Sequence, residues 1–186
     1  MSNLDSHADD VIGEHALSQW AQAMTHIANH YRVACSPGAI QANAPWFAGK
    51  SRATALSQLA RQAGLSFHAL NTAAQAFGQW RLPVVAELRD GQLMVIEHFN
   101  GEDTLDVFII AEEGQRNRLT IAELLPEIVS ITALRPLSAL KDSRVDRYIS
   151  RFKPDWMREL VLKDIRPYLP GTNAALLINV LSPAGD

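Results

Sequence analysis

Two dipeptides do most to limit what this chain can fold into. Asp90-Gly91 and Asn100-Gly101 divide three runs rich in Val, Ile, Leu and Phe: Leu82–Leu88, Gln92–Phe99 and Thr104–Ala111. Glycine after Asp or Asn supplies the positive φ that tight hairpin turns need, so the spacing predicts successive antiparallel strands. The period ahead of them is different. Leu17, Trp20, Ala21, Met24, Ile27, Ala28 and Tyr31 recur at three- and four-residue steps from Ala16 onward, the stripe of an amphipathic helix. Helices first and a meander afterwards make an α+β chain and not a βαβ one.

Local signals fill in the rest. Ser36-Pro37 reads as an N-cap followed by proline in the first helical position, opening a short helix to about Asn43 that Ala44-Pro45 ends. Leu56, Leu59, Ala60 and Ala63 mark a third helix, closed by Gly64. Leu65, Phe67 and Ala69 alternate as a short strand, and Asn71–Phe77 reads as one or two helical turns. Thr120-Ile121-Ala122-Glu123 matches a capping box, and Ile128–Leu134 is a final strand.

Composition narrows the class. The chain has 186 residues, 47% hydrophobic and 20% charged, a globular balance that excludes a disordered or fibrous chain. One cysteine excludes a disulfide framework and an all-cysteine zinc site. The opening residues lack a basic segment followed by an apolar one, so no secretory signal is present and the cytoplasm is expected. Residues 1–140 carry nine Lys/Arg against fourteen Asp/Glu, whereas residues 141–166 carry eight against five. An acidic head on a basic neck argues against nucleic acid as partner of the head and leaves anionic lipid for the neck.

Residues 137–169 interleave Tyr148, Phe152, Trp156 and Leu160 with charges, a composition suited to a membrane interface or to a helix packed on its own domain. Ala174–Leu181 is an apolar run of eight residues. A spanning helix needs roughly 20, so the run reads as the opening of a transmembrane helix cut short. The expected organisation is a flexible segment over 1–14, a folded domain over 15–136, a basic linker over 137–170 and the truncated helix start over 171–186.

Several phrases in this order resemble a known family. Ala23–Ile40 (AMTHIANHYRVACSPGAI) is similar to the first helix and turn of peptidase C39 domains, which sit at the N-terminus of ABC exporters. So are the helix Ser51–Gly64 leading into Leu65, and Leu82-Pro83-Val84-Val85-Ala86 followed by Asp90-Gly91. Trp156 to Pro170 and the apolar run after it resemble the lead into the first transmembrane helix of type I secretion exporters. The resemblance covers about residues 15–181. It implies a papain-like fold of N-terminal helices packed on an antiparallel sheet, at the cytoplasmic face of a bacterial inner membrane.

Active members of that family need a cysteine in the first helix, a glutamine upstream for the oxyanion hole, a histidine opening the second meander strand, and an aspartate to orient it. Carried over by position, the cysteine falls at Gln19, ahead of Trp20 where the family has glycine. The glutamine falls near Gly13, the histidine at Leu93 or Gln92, and the aspartate at Ile110 or Ala111. None of these side chains can do the chemistry. The resemblance therefore implies a non-catalytic, C39-like domain that tethers an unfolded RTX-type protein for export, together with the exporter's transmembrane and nucleotide-binding domains. A docking domain for other exporter components and a leader-processing cysteine peptidase with a displaced nucleophile are the rival readings. No cofactor is called for.

In the leading reading Gln19, Trp20, Glu87, Gln92 and Leu93 line or flank the former active-site cleft. Trp20 also lies on the apolar stripe, where a plain core role is the other reading, and Glu87 could instead face water. Since RTX-type segments are acidic, binding by an acidic head is expected to rest on shape, aromatic contact and backbone hydrogen bonds. Other candidates are weaker. Cys35 follows the first helix instead of opening it, so its thiol pKa should be raised. His26 and His30, at i and i+4, read as a helix-surface pair. His68 and His98 lie on strand patterns with no nucleophile beside them, and Glu112-Glu113 reads as a solvated turn. No GxxxxGK[ST] phosphate loop occurs in the chain.

Overall fold

The computed structural model describes residues 10–70, 77–78, 81–111 and 114–137. The expectations for most of Asn71–Phe77, for Glu112-Glu113, for the basic linker and for the truncated helix start lie outside these residues.

The N-terminal part is helical. Helix α1 spans Glu14–His30 and buries Leu17, Trp20, Ala21, Ala23, Met24, Ile27 and Ala28, the stripe that the spacing predicts. It ends on Arg32 in a left-handed conformation (φ 54°), where Val33 N–H reaches back to Ala28 O at 2.9 Å. Ser36 Oγ accepts from Ala39 N at 3.3 Å and Pro37 follows it, opening α2 over Pro37–Asn43. The α-helix ends at Asn43, where Ala44-Pro45 is expected to end it. A separate 3-10 turn over Ala44–Phe47 follows, with proline tolerated in its first turn, where no backbone N–H is needed. Helix α3, Arg52–Gln62, is capped by Ser51. Gly64 closes it at φ 76°, with Val33 Cγ1 only 2.7 Å from where a Cβ would stand.

The sheet has six antiparallel strands: β1 Leu65–Leu70, β2 Val84–Leu88, β3 Leu93–Phe99, β4 Thr104–Ile109, β5 Gln115–Thr120 and β6 Ile128–Pro136. Their spatial order is β1-β6-β2-β3-β4-β5. Strands β2, β3 and β4 are the meander the hairpin dipeptides predict. Strand β6 follows the capping-box helix α4, Ile121–Leu124, and a 3-10 turn, Leu125–Glu127, and returns to lie between β1 and β2.

Period-2 alternation gives the sheet two apolar faces. Val85, Leu93, Val95 and Leu134 join α1 and α3 in one buried cluster. Val84, Ala86, Met94, Ile96, Leu105, Val107, Ile128 and Ile131 form a second on the opposite face. Strand β5 has no counterpart in the sequence reading. Its residues Gln115–Arg118 are exposed, so the edge strand carries none of the alternation that marks its neighbours.

Candidate functional site

The backbone brings together Leu93 and Ile110, which the resemblance sets, with Gln92 and Ala111 as alternatives, against the histidine and aspartate of active peptidases. Leu93 opens β3, Ile110 follows β4, and Ile110 N–H donates to Leu93 O at 3.2 Å. Both side chains are buried, Leu93 at 2% and Ile110 at 5% exposure. Gln19 lies in the second turn of α1, half-buried, with its Nε2 3.2 Å from His15 Nε2 one turn earlier.

Trp20 is 1% exposed, with its ring 5.9 Å from Phe67 and the Arg52 guanidinium 5.6 Å from its centroid. Its side chain belongs to the core and offers a ligand no surface. Arg52 pairs in turn with the half-buried Glu87 carboxylate, which also accepts from Ser130 Oγ at 3.2 Å. Glu87 is thus engaged by two partners, in a chain that joins α1, α3, β2 and β6. Gln92 is half-buried beside the β2–β3 turn, where its N–H donates to Asp90 Oδ1 at 3.0 Å.

A groove of about 400 Å³ opens along α1 next to this position. Gln22, Thr25, His26 and Asn29 of α1 form one wall and Gln41 of α2 extends it, while Phe108 and Ile110 form the other. Ile110 therefore both bonds Leu93 through the backbone and lines the groove. The ring of Phe108 comes within 2.6 Å of where a Cβ on Gly114 would stand, so only glycine leaves it that place.

His26 is not a free surface histidine. Its ring stacks on Phe108, centroids 3.9 Å apart and planes 15° apart, and its Nε2 lies 3.1 Å from Glu97 Oε1. Alternation along β3 puts Glu97 on the α1 face with Leu93 and Val95, and the register shift between Ile96 and His98 lies at the same point of the strand. The hydrogen bond with His26 holds the Glu97 carboxyl below its usual range against the opposing effect of burial, helped by the charges of His26, Arg116 and His98. Sequence reasoning missed this pairing across 71 residues; its one trace is a Glu-His pair closing an apolar strand.

The remaining candidates stand apart from the groove's chemistry. Burial raises the thiol pKa of half-buried Cys35, in the direction expected of it. His68, on β1, has its Nε2 3.1 Å from Ser66 Oγ, and burial followed by the charge of Arg135 lowers its pKa. Among the described residues no group of three or more His, Cys, Asp or Glu side chains is placed to hold a metal ion. Among the same residues no helix is long and apolar enough to cross a membrane. The groove offers side-chain amides for main-chain hydrogen bonds and an aromatic wall for apolar contact, the equipment of a peptide-binding surface.

Solved structures of similar shape are peptidase C39-like domains of ABC exporters. The N-terminal peptidase C39-like domain of the toxin secretion ATP-binding protein from Vibrio parahaemolyticus superposes with a TM-score of 0.53 at 19% identity, over 63% of this chain and 96% of that one. A double glycine motif protease from an AMS/PCAT transporter, solved in complex with the leader peptide, gives 0.52 at 16% identity, covering 68% and 91%. The peptidase domain of Streptococcus ComA, a bifunctional ABC transporter of a quorum sensing pathway, gives 0.51 at 12% identity, covering 73% and 96%. No family model matches the chain, and no curated protein sequence does either. The fold, helices packed on an antiparallel sheet, is that of C39-like peptidase domains.

Proposed function

We propose that this chain is a non-catalytic C39-like domain of a type I secretion ABC exporter, holding an unfolded RTX-type protein near the translocation path instead of cutting it. The observation that carries the reading is the pair Leu93 and Ile110. They are bonded to each other through the backbone at 3.2 Å, at the positions matched to histidine and aspartate, and both are buried aliphatic residues. Gln19 stands at the position matched to the nucleophile. An amide and two hydrocarbon side chains supply no thiolate, general base or orienting carboxylate. The groove beside them supports binding: it is open, peptide-sized, and walled by Phe108, His26 and the amides of Gln22 and Asn29.

Titrating the full chain with a calcium-free, glycine-rich repeat segment, read by amide NMR, tests this. Shifts on α1, the groove and the Leu82–Phe99 hairpin are expected with the unfolded segment and not with the same segment folded on calcium. No shift at millimolar ligand sinks cargo binding. Cleavage of a double-glycine leader peptide by the purified chain would overturn the non-catalytic half of the reading.

A further inference from the structure

The free edge of a sheet is where another chain can continue its hydrogen-bond ladder. Strand β5 ends the order β1-β6-β2-β3-β4-β5, and the register shows which of its main-chain groups face outward. Thr104 O accepts Asn100 N–H at 2.9 Å on the β3 side. In β4 the alternate residues Leu105, Val107 and Ile109 therefore turn to β5, where they pair with Leu119, Asn117 and Gln115. Arg116, Arg118 and Thr120 aim their N–H and C=O groups away from the sheet. Glu123 Oε2 already takes the Thr120 N–H at 3.0 Å, which leaves Arg116 to Arg118 as the stretch open among the described residues.

The side chains of the same two residues share one face, since Arg118 lies opposite Asp106 and Arg116 opposite Phe108. Arg118 Nε donates to Asp106 Oδ1 at 3.0 Å, and Arg116 Nε lies 3.4 Å from Glu97 Oε1. The arginine side chains are 66–67% exposed, against 33% for Asp106 and 12% for Glu97. Positive groups thus form the rim with their carboxylates beneath them. Each guanidinium, anchored through Nε, keeps its terminal nitrogens as donors for a second acceptor. The rim is thus positive on a chain of net charge −3, although the two carboxylates beneath balance the two guanidiniums.

We propose that an extended acidic peptide segment adds to β5 as a further strand, with carboxylates at alternate positions opposite Arg116 and Arg118. The proposal deepens the reading above and rests on it, because it names the chemistry of the polypeptide held. Residues directly opposite an outward-facing pair lie about 5.5 Å away, Cα to Cα, with side chains on the same face. The edge therefore reads acidic-x-acidic. Two adjacent carboxylates would send one to the other face, beside Asn117 and Leu119. A second copy of this chain is a poor occupant, since β5 against β5 sets arginines against one another.

The test uses the full chain and a fluorescent peptide, Thr-Val-Asp-Val-Asp-Val-Thr, with an isomer whose aspartates are adjacent. The isomer is expected to bind about two- to fivefold more weakly, the loss of one cross-strand charge pair. Amides of Arg116 and Arg118, not Asn117, should slow in hydrogen exchange when the alternating peptide is bound. Combining Arg116→Glu and Arg118→Glu should abolish binding and create it for a third peptide, Thr-Val-Lys-Val-Lys-Val-Thr; Arg116→Gln with Arg118→Gln serves if charge reversal prevents folding, and should abolish binding of the Asp peptide. Equal binding by the two isomers, or equal competition by a single-stranded oligonucleotide, overturns the proposal in favour of a general anion patch. Shifts confined to the α1–α2 groove overturn it while leaving the reading above intact. If neither this peptide nor the unfolded repeat binds, both fall.

Discussion

His26 and Phe108 stack with ring centroids 3.9 Å apart, joining α1 to β4 at a point where Glu97 holds the imidazole edge at 3.1 Å. Helix α1 is thus tied to the sheet by a polar clasp at the groove wall, in addition to the apolar stripe beneath it. The clasp involves the same Phe108 whose ring tip lies 2.6 Å from where a Cβ on Gly114 would stand.

Glu97→Gln is expected to destabilise the fold by about 1–2 kcal/mol at pH 7, the scale of a hydrogen bond to a charged group, partly screened by solvent. The sign with pH follows from the direction of the shift. A carboxylate whose folded-state value lies below the ordinary 4.5 contributes stability that is fully present above that value. The contribution is lost as pH falls through the depressed folded-state value. Urea melts of parent and variant should therefore differ most above the ordinary carboxylate range and converge as pH falls through the depressed folded-state value. A difference that grows on acidification would contradict the assignment.

Trp20→Ala should cost about 3–5 kcal/mol, because the cavity would open in a fully packed place against Phe67 and Arg52. Trp20→Phe should cost about 2 kcal/mol or less and leave affinity for an unfolded segment unchanged once corrected for the folded fraction. If the Phe variant keeps full stability but loses binding, Trp20 is a contact residue and its core placement is not what matters.

The ends of α1 and α3 predict opposite signs for glycine. Arg32 occupies a left-handed conformation at φ 54°, so Arg32→Gly should stabilise by about 1 kcal/mol. Gly64→Ala adds a methyl group 2.7 Å from Val33 Cγ1 at φ 76° and should destabilise by about 1–3 kcal/mol. Thermal melts of the two variants must move apart from the parent. A shift in the same direction for both would refute the reading of these helix ends.

What was legible in the sequence was local. Ser36-Pro37, Gly64 and the Thr120–Glu123 capping box each act within a few residues, and each stands where its pattern puts it. Strands β2, β3 and β4 were readable because their apolar residues and the glycines between them are contiguous in the chain. Strand β5 was not, because Gln115–Arg118 gains its hydrogen bonds from β4 and buries almost nothing that would leave a pattern. The insertion of β6 between β1 and β2 and the meeting of His26 with Glu97 depend on partners far away in sequence. Periodicity carries no information about such partners. Gln19, Leu93 and Ile110 were singled out by resemblance alone, and the groove along α1 emerged only from the packing of α2 and β4 around it.

Cys35 offers the cheapest check on a displaced nucleophile. A catalytic thiol is kept as thiolate by a positive neighbour or a helix N-terminus, and its alkylation is then fast and nearly independent of pH around neutrality. Cys35 lies after the C-terminal end of α1, half-buried, and burial raises its pKa above the ordinary value. Its folded-state proton therefore stays on at pH 7. Iodoacetamide should react more slowly than with a free cysteine, and the rate should climb about tenfold per pH unit, as it does for any thiol well below its pKa. Unfolding in urea should remove the burial and bring the rate up to that of free cysteine. A fast, flat profile in the native protein would instead place a thiolate at this turn and reopen peptidase chemistry on this fold.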